Sequence, residues 1–247
     1  MKNMTKQPIP NGLKADEELH PRLPGDPYQG EEINLERMSD MTWRIFRIMS
    51  EFIEGFQFLS QFSKEVTIFG SARTNPDDKW YKEAEKLGKM LAEEDYTVIT
   101  GGGPGVMEAA NKGANEVDPK KSVGINIELP GGQRENDYIV PSKAFHYFFT
   151  RKVMLAASAQ SYVFFPGGFG TLDECFEMIT LIQTGKMQPI PLILMGQEYW
   201  GGLVDWIKEQ LLAEGRISDK DFEICRICNT AEEAMEYIRQ SKERTIF

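Results

Sequence analysis

Hydrophobic and polar positions divide the chain into three regions with different periods. Residues 1–32 carry few large apolar side chains, and Pro8, Pro10, Pro21, Pro24 and Pro27 fall within them. That pattern predicts an extended or disordered arm. From Ile33 to Phe62 the apolar positions take a helical period: Met38, Met41, Ile45, Ile48/Met49, Phe52, Ile53, Phe56 and Leu59. This predicts an amphipathic helix over 33–62, which Gly55 could break or bend. So many aromatic residues outside the main repeat suit a helix packed on its own domain or on a partner subunit. A membrane-surface helix is disfavoured, because the opposite face is not strongly basic.

From residue 63 to 247 short apolar runs alternate with helical stretches. Strands are expected at Val66–Phe69, Tyr96–Thr100, Ser122–Leu129, Tyr162–Phe165, Pro191–Met195 and Ile224–Cys228, with an extended piece at Tyr138–Ala144. Helices are expected at about 77–94, from Val106, at Phe148–Ala159, from Leu172 to Ile182, at Leu203–Glu214 and at Ala231–Lys242. Such alternation predicts an α/β fold, a doubly wound and mostly parallel Rossmann-like sheet, here with an extra N-terminal helical arm.

The stretch from Ser161 to Thr184 (SYVFFPGGFGTLDECFEMITLIQT) carries the strongest chemical signal. A buried strand, a glycine-rich turn and a helix form the geometry with which α/β proteins hold phosphate. Glycines admit an anion close to the backbone, and the helix N-terminus offers free N–H groups and a positive dipole end. Thr171 can add a hydroxyl, and Asp173, Glu174 and Glu177 follow. Two further strand ends carry glycine turns, Gly70-Ser71-Ala72-Arg73 and Gly101-Gly102-Gly103-Pro104-Gly105. Three such turns at carboxyl ends of strands point to a phosphate or nucleotide site. The Walker lysine motif is absent, and GSARTN does not supply the dinucleotide fingerprint, so P-loop and hydride-transfer chemistry are disfavoured. Arg151 and Lys152 stand near a helix start. That is a poor place for two cations unless an anion sits there, the bland alternative being solvated or ion-paired charges.

Composition narrows the classes. The net charge of 28 − 38 = −10 argues against a nucleic-acid or anionic-membrane partner. No run approaches a membrane span and the first residues lack a signal-peptide core, so a soluble, cytoplasmic protein is expected. Cys175, Cys225 and Cys228 give no disulfide framework, and Cys225-x-x-Cys228 reads as strand rather than as a redox or zinc motif. His20 and His146 have no ligand-spaced partners, so no metal is expected.

The segment PGGFGTLDE, Pro166 to Glu174, matches the P-G-G-x-G-T-x-x-E signature of the LONELY GUY (LOG) family. GGGPGVMEAANKGA, from Gly101 to Ala114, resembles the family's second glycine motif in its larger bacterial form, and TRK at Thr150–Lys152 falls where the family carries its Arg-Lys pair. The resemblance covers about residues 64–230. Phe149 stands where many members have a histidine, which bears on substrate preference more than on reaction class.

The resemblance implies hydrolysis of the N-glycosidic bond of a nucleoside 5′-monophosphate, AMP or a cytokinin-type nucleotide, to free base and ribose 5-phosphate. It implies Arg151 and Glu174 as the catalytic pair. Substrate would be held by Gly167, Gly168, Gly170 and Thr171, with Gly70, Ser71, Gly102, Gly103, Lys152 and Thr180 as further contacts. It also implies a homodimer or higher homo-oligomer and no organic cofactor. The alternative is a nucleotide-binding or molybdenum-cofactor carrier of the same fold without turnover. A lysine decarboxylase is disfavoured, because nothing marks a lysine for a pyridoxal phosphate Schiff base.

Overall fold

The computed structural model describes residues 35–128 and 135–241. The expected arm at 1–32, His20, the first residue of the expected N-terminal helix (Ile33), Leu129 and the last residue of the expected terminal helix lie outside the described residues. The chain divides between Arg44 and Ile45 into two units. The first unit contributes the opening turns of helix α1 (Leu35–Leu59).

In the second unit, strands β1 (Glu65–Phe69), β2 (Thr97–Thr100), β3 (Ser122–Ile127), β4 (Ser142–Phe145), β5 (Ser161–Phe164), β6 (Leu192–Met195) and β7 (Cys225–Cys228) form one seven-stranded sheet. Its order is β4-β3-β2-β1-β5-β6-β7, and every pairing is parallel. The connecting helices are α2 (Lys79–Glu93), α3 (Val106–Val117), α4 (Phe148–Ala157), α5 (Phe169–Gln183), α6 (Gln197–Ile207), α7 (Asp219–Phe222) and α8 (Ala231–Arg239). The doubly wound α/β expectation holds.

Strand periodicity sorts the core into two layers. Val66, Ile68, Val163, Phe165, Ile193 and Met195 face α2, α3 and α8. Phe69, Tyr162, Phe164, Leu192 and Leu194 face the layer of α4, α5 and α6. Cys225 packs in the second layer and Cys228 in the first, so three residues of strand put the two thiols on opposite faces of the sheet. The Cys-x-x-Cys spacing is strand spacing.

Several boundaries moved for local reasons. Pro141 cannot donate to a ladder, and β4 starts after it; of the expected extended piece from Tyr138, the regular strand begins at Ser142, with single bonds to β3 at Val140 and Pro141. Helix α6 begins at Gln197, ahead of the expected Leu203, because Gly196 turns the chain at φ +102° and starts the helix at once. Lys208–Leu212 extends it as a π turn, and Asp219–Phe222 adds a helix closed by a Ser218–Asp221 capping box.

Helix α1 runs unbroken through Gly55, whose missing side chain has a packing reason. A Cβ there would collide with Met154 of α4. The expected single apolar stripe also divides. Phe52, Phe58 and Leu59 pack against the core, whereas Ile45, Phe46, Met49, Ile53 and Phe56 are exposed.

Candidate active site

The chain lays β2, β3 and β4 outward on one side of β1, then returns to place β5 on the other. The carboxyl ends of β1 and β5 therefore flank the topological switch point, where α/β sheets open a crevice. A cleft of about 1020 Å³ lies there. The Ser71 N–H donates to the Pro166 carbonyl at 3.0 Å and ties the two turns together.

The turn after β5 leaves backbone donors open to the cleft. Gly168 precedes α5 and offers no capping side chain, so the first N–H groups of the helix are left to the cleft. Gly168 and Gly170 have open space where a Cβ would stand, and a Cβ on Gly167 would collide with Thr171. From α6 the Tyr199 hydroxyl donates to the Gly167 carbonyl and pins the turn. Thr171 is buried beneath it.

Arg151 and Glu174 line the same cleft. Arg151 Nε donates to the Ile125 carbonyl at 2.9 Å, and the guanidinium end lies against Gly101, where a Cβ would strike Nη2. Burial lowers the Arg151 pKa, with the charge of Glu174 opposing. Glu174 is 5% exposed and its Oε2 is buried with no hydrogen-bond partner among the described residues. Burial pushes its pKa up to about 7, Glu177 adds to the rise, and Lys152 restrains it.

Lys152 does not line the cleft. Its Nζ lies 2.6 Å from Asp173 Oδ2, 3.0 Å from Glu177 Oε2 and 3.4 Å from Glu174 Oε1. Burial pulls its pKa down, but the hydrogen bond it donates to Asp173 and the charge of Glu177 and Glu174 outweigh that and raise it. Of the two sequence readings for this lysine, the ion-paired one describes its contacts.

Gly70, Ser71, Gly167, Gly168, Gly170 and Thr171 all line the cleft. Gly102 and Gly103 do not line it. They are buried in a polar network in which Gly102 N donates to the Thr100 hydroxyl and Asn136 holds the Gly102 and Gly103 carbonyls. Asn111 joins that network to Ser122 on β3. Thr180 lies in a separate groove along the outer face of α5 with Lys152 and Phe176, its hydroxyl bonded to the Phe176 carbonyl.

Sequence reasoning missed Arg73, Phe148 and Tyr199 as cleft residues. Arg73 stood in the visible GSAR turn, whereas Tyr199 reaches the cleft through α6 and left no local signal. Among the described residues no group of three or more His, Cys, Asp or Glu side chains could hold a metal, and no helix is long and apolar enough to cross a membrane.

Comparison with known proteins adds ancestry to this geometry. A family model described as "Possible lysine decarboxylase" matches residues 107–238. A cytokinin riboside 5′-monophosphate phosphoribohydrolase of Arabidopsis thaliana is 28% identical over 182 residues, 73% of this chain and 82% of that one. The enzyme of the same name from Rhodococcoides fascians is 27% identical over 184 residues, 71% of this chain and 89% of that one. Among solved structures, TM1055 aligns with a TM-score of 0.52 at 26% identity, over 72% of this chain and 99% of its own. A molybdenum cofactor carrier protein from Chlamydomonas reinhardtii aligns with a TM-score of 0.53 at 21% identity, over 72% of this chain and 98% of its own, a likeness of fold alone.

Proposed function

The chain belongs to the family described as possible lysine decarboxylase, the LOG family, and from that premise we propose that it hydrolyses the N-glycosidic bond of a nucleoside 5′-monophosphate. Water attacks C1′ of the ribose, the C1′–N bond breaks with its electron pair going to the base, and the base takes up a proton. Free base and ribose 5-phosphate leave. AMP and cytokinin-type nucleotides are the proposed substrates.

One observation carries the proposal: the donor-lined turn before α5, the guanidinium of Arg151 and the carboxylate of Glu174, whose buried Oε2 has no hydrogen-bond partner among the described residues, belong to one cleft. The α5 N-terminus, with Gly167, Gly168, Gly170 and Thr171, takes the 5′-phosphate. Glu174 follows by one turn of helix and faces the sugar. Its carboxylate supports the oxocarbenium-like charge at C1′ and receives a proton of the attacking water. Arg151 orients the nucleotide and assists departure of the base. Gly70 and Ser71 border the phosphate from the β1 side. Lys152 acts indirectly, through the charge it places beside Glu174.

Lysine decarboxylation has no support in these side chains, because Lys152 is held by three carboxylates and does not line the cleft. A homodimer or higher assembly goes with this reading. The exposed Ile45, Met49, Ile53 and Phe56 on α1 offer apolar surface for it, and light scattering measures the state.

Product analysis tests the function. With AMP, free adenine and ribose 5-phosphate should appear in equal amounts, and adenosine, which lacks the phosphate, should react at least a hundredfold more slowly. Equal turnover of adenosine and AMP would overturn the assignment of the α5 turn to phosphate.

A further inference from the structure

Helix α4 carries Arg151, yet its own N-cap, Tyr147, offers no capping side chain. The two N–H groups just ahead of the helix are instead bonded from almost a hundred residues away. Glu51, on α1, accepts from His146 N at 2.7 Å through Oε1 and from Tyr147 N at 3.3 Å through Oε2. The hydroxyl of Thr150, which is fully buried, lies within hydrogen-bonding reach of the same Oε2 and of the Tyr147 carbonyl. A carboxylate at the positive end of a helix is favoured by the dipole as well as by the hydrogen bonds.

Two further contacts hold α1 along the same segment. Gly55 lets the helix approach Met154, one turn beyond Arg151, and Glu54 pairs with Lys143 of β4, just before the turn into α4. The Glu51 carboxylate therefore touches the residues immediately ahead of Arg151, while Arg151 Nε is fixed at its far side by the Ile125 carbonyl.

We infer that Glu51 is a positioning residue of the cleft: it fixes the first turn of α4, and through it the reach of the Arg151 guanidinium. The inference rests on the proposed hydrolase reading for its kinetic readout. It gives the added N-terminal helix a part in the site that is separate from any role in assembly. A displacement of about 1 Å in a substrate-orienting group costs on the order of a hundredfold in rate, so loss of this brace should be felt in turnover.

The test uses the full chain with Glu51→Ala and Glu51→Gln, each in the wild-type and Arg151→Lys backgrounds. Glu51→Ala should lower kcat for AMP about tenfold or more with KM changed less than about threefold. Glu51→Gln, which keeps one acceptor oxygen, should recover a large part of that loss. In the Arg151→Lys background, Glu51→Ala should cost less than about twofold, because the two residues act as one unit. An unchanged kcat, or the same factor lost in both backgrounds, would overturn the inference.

Amide hydrogen exchange gives a readout independent of turnover. Glu51→Ala should speed exchange at residues 146–152 and leave α5 protected. If the wild-type chain releases no base and this local change is still seen, the hydrolase reading fails and the brace stands. Unchanged exchange at 146–152 would remove the brace whatever the activity.

Discussion

Glu174 Oε1 lies 3.4 Å from the ammonium of Lys152, whereas Oε2 of the same carboxylate is buried with no partner among the described residues. Lys152 favours the ionised carboxylate, while burial and the neighbouring Glu177 work against it. Burial dominates, and the group titrates at about 7. A carboxylate that acts ionised at such a pKa is sensitive to pH in the physiological range.

The kcat/KM for AMP should therefore rise with pH through about 7, as Glu174 loses its proton. Lys152→Met removes the cation that restrains this pKa, so the rising limb should move to higher pH. A pH–rate profile of each protein checks the sign; a limb moving to lower pH in the variant would contradict the account of the cluster.

The same titration appears in stability. The folded pKa of Glu174 is raised above its unfolded value near 4.5, so its contribution is fully present below about 4.5 and is lost as pH rises through about 7. The Glu174→Gln variant carries no such titration. Its melting temperature relative to the wild type should climb between pH 5 and pH 8, by the equivalent of about 2 kcal/mol. Thermal melts across that range measure it.

Glycines of two kinds should separate cleanly. Gly88 of α2 lies against the Ala110 carbonyl of α3, and a methyl there meets backbone. Gly88→Ala should cost about 2 kcal/mol of stability by denaturant titration. Gly170 has open space and sits in the first turn of α5, so Gly170→Ala should leave stability unchanged or slightly improved. Its methyl would stand among the N–H groups that the proposed function gives to the phosphate and should raise KM for AMP by about tenfold.

Asn111 joins the Thr100 hydroxyl, the Ser122 hydroxyl and the Asn136 amide in a fully buried network beneath the Gly101–Gly105 turn. Asn111→Ala strands several of these groups at once. A loss of about 2–4 kcal/mol is expected in urea titration, with activity falling as the turn beside Arg151 loosens.

The fold was legible because its signals are local. Val66–Phe69 and Tyr162–Phe165 announced buried strands, and the turns that follow them announced the crevice. The Pro166–Glu174 motif marked the glycine turn and Glu174, which line one cleft, without help from distant contacts. What stayed hidden depends on tertiary neighbours. Nothing in the stretch around Tyr199 foretold a bond to the Gly167 carbonyl, and nothing near Glu51 foretold α4. Lys152 looked like a candidate for an anion because the sequence could not show Asp173 and Glu177 folded over it. That Asn136 would hold the Gly102 and Gly103 carbonyls away from the cleft was equally invisible, because it stands more than thirty residues further along the chain.

The most direct measurement pairs two readouts on the wild type and Glu174→Gln incubated with AMP: free adenine by chromatography and the shift in melting temperature. The wild type should release adenine, the variant should lose at least a thousandfold of that activity, and both should keep the ligand-induced shift. Adenine release undiminished in the variant would contradict the role of Glu174, and a melting shift without release by either protein would mark a binding protein instead of a hydrolase.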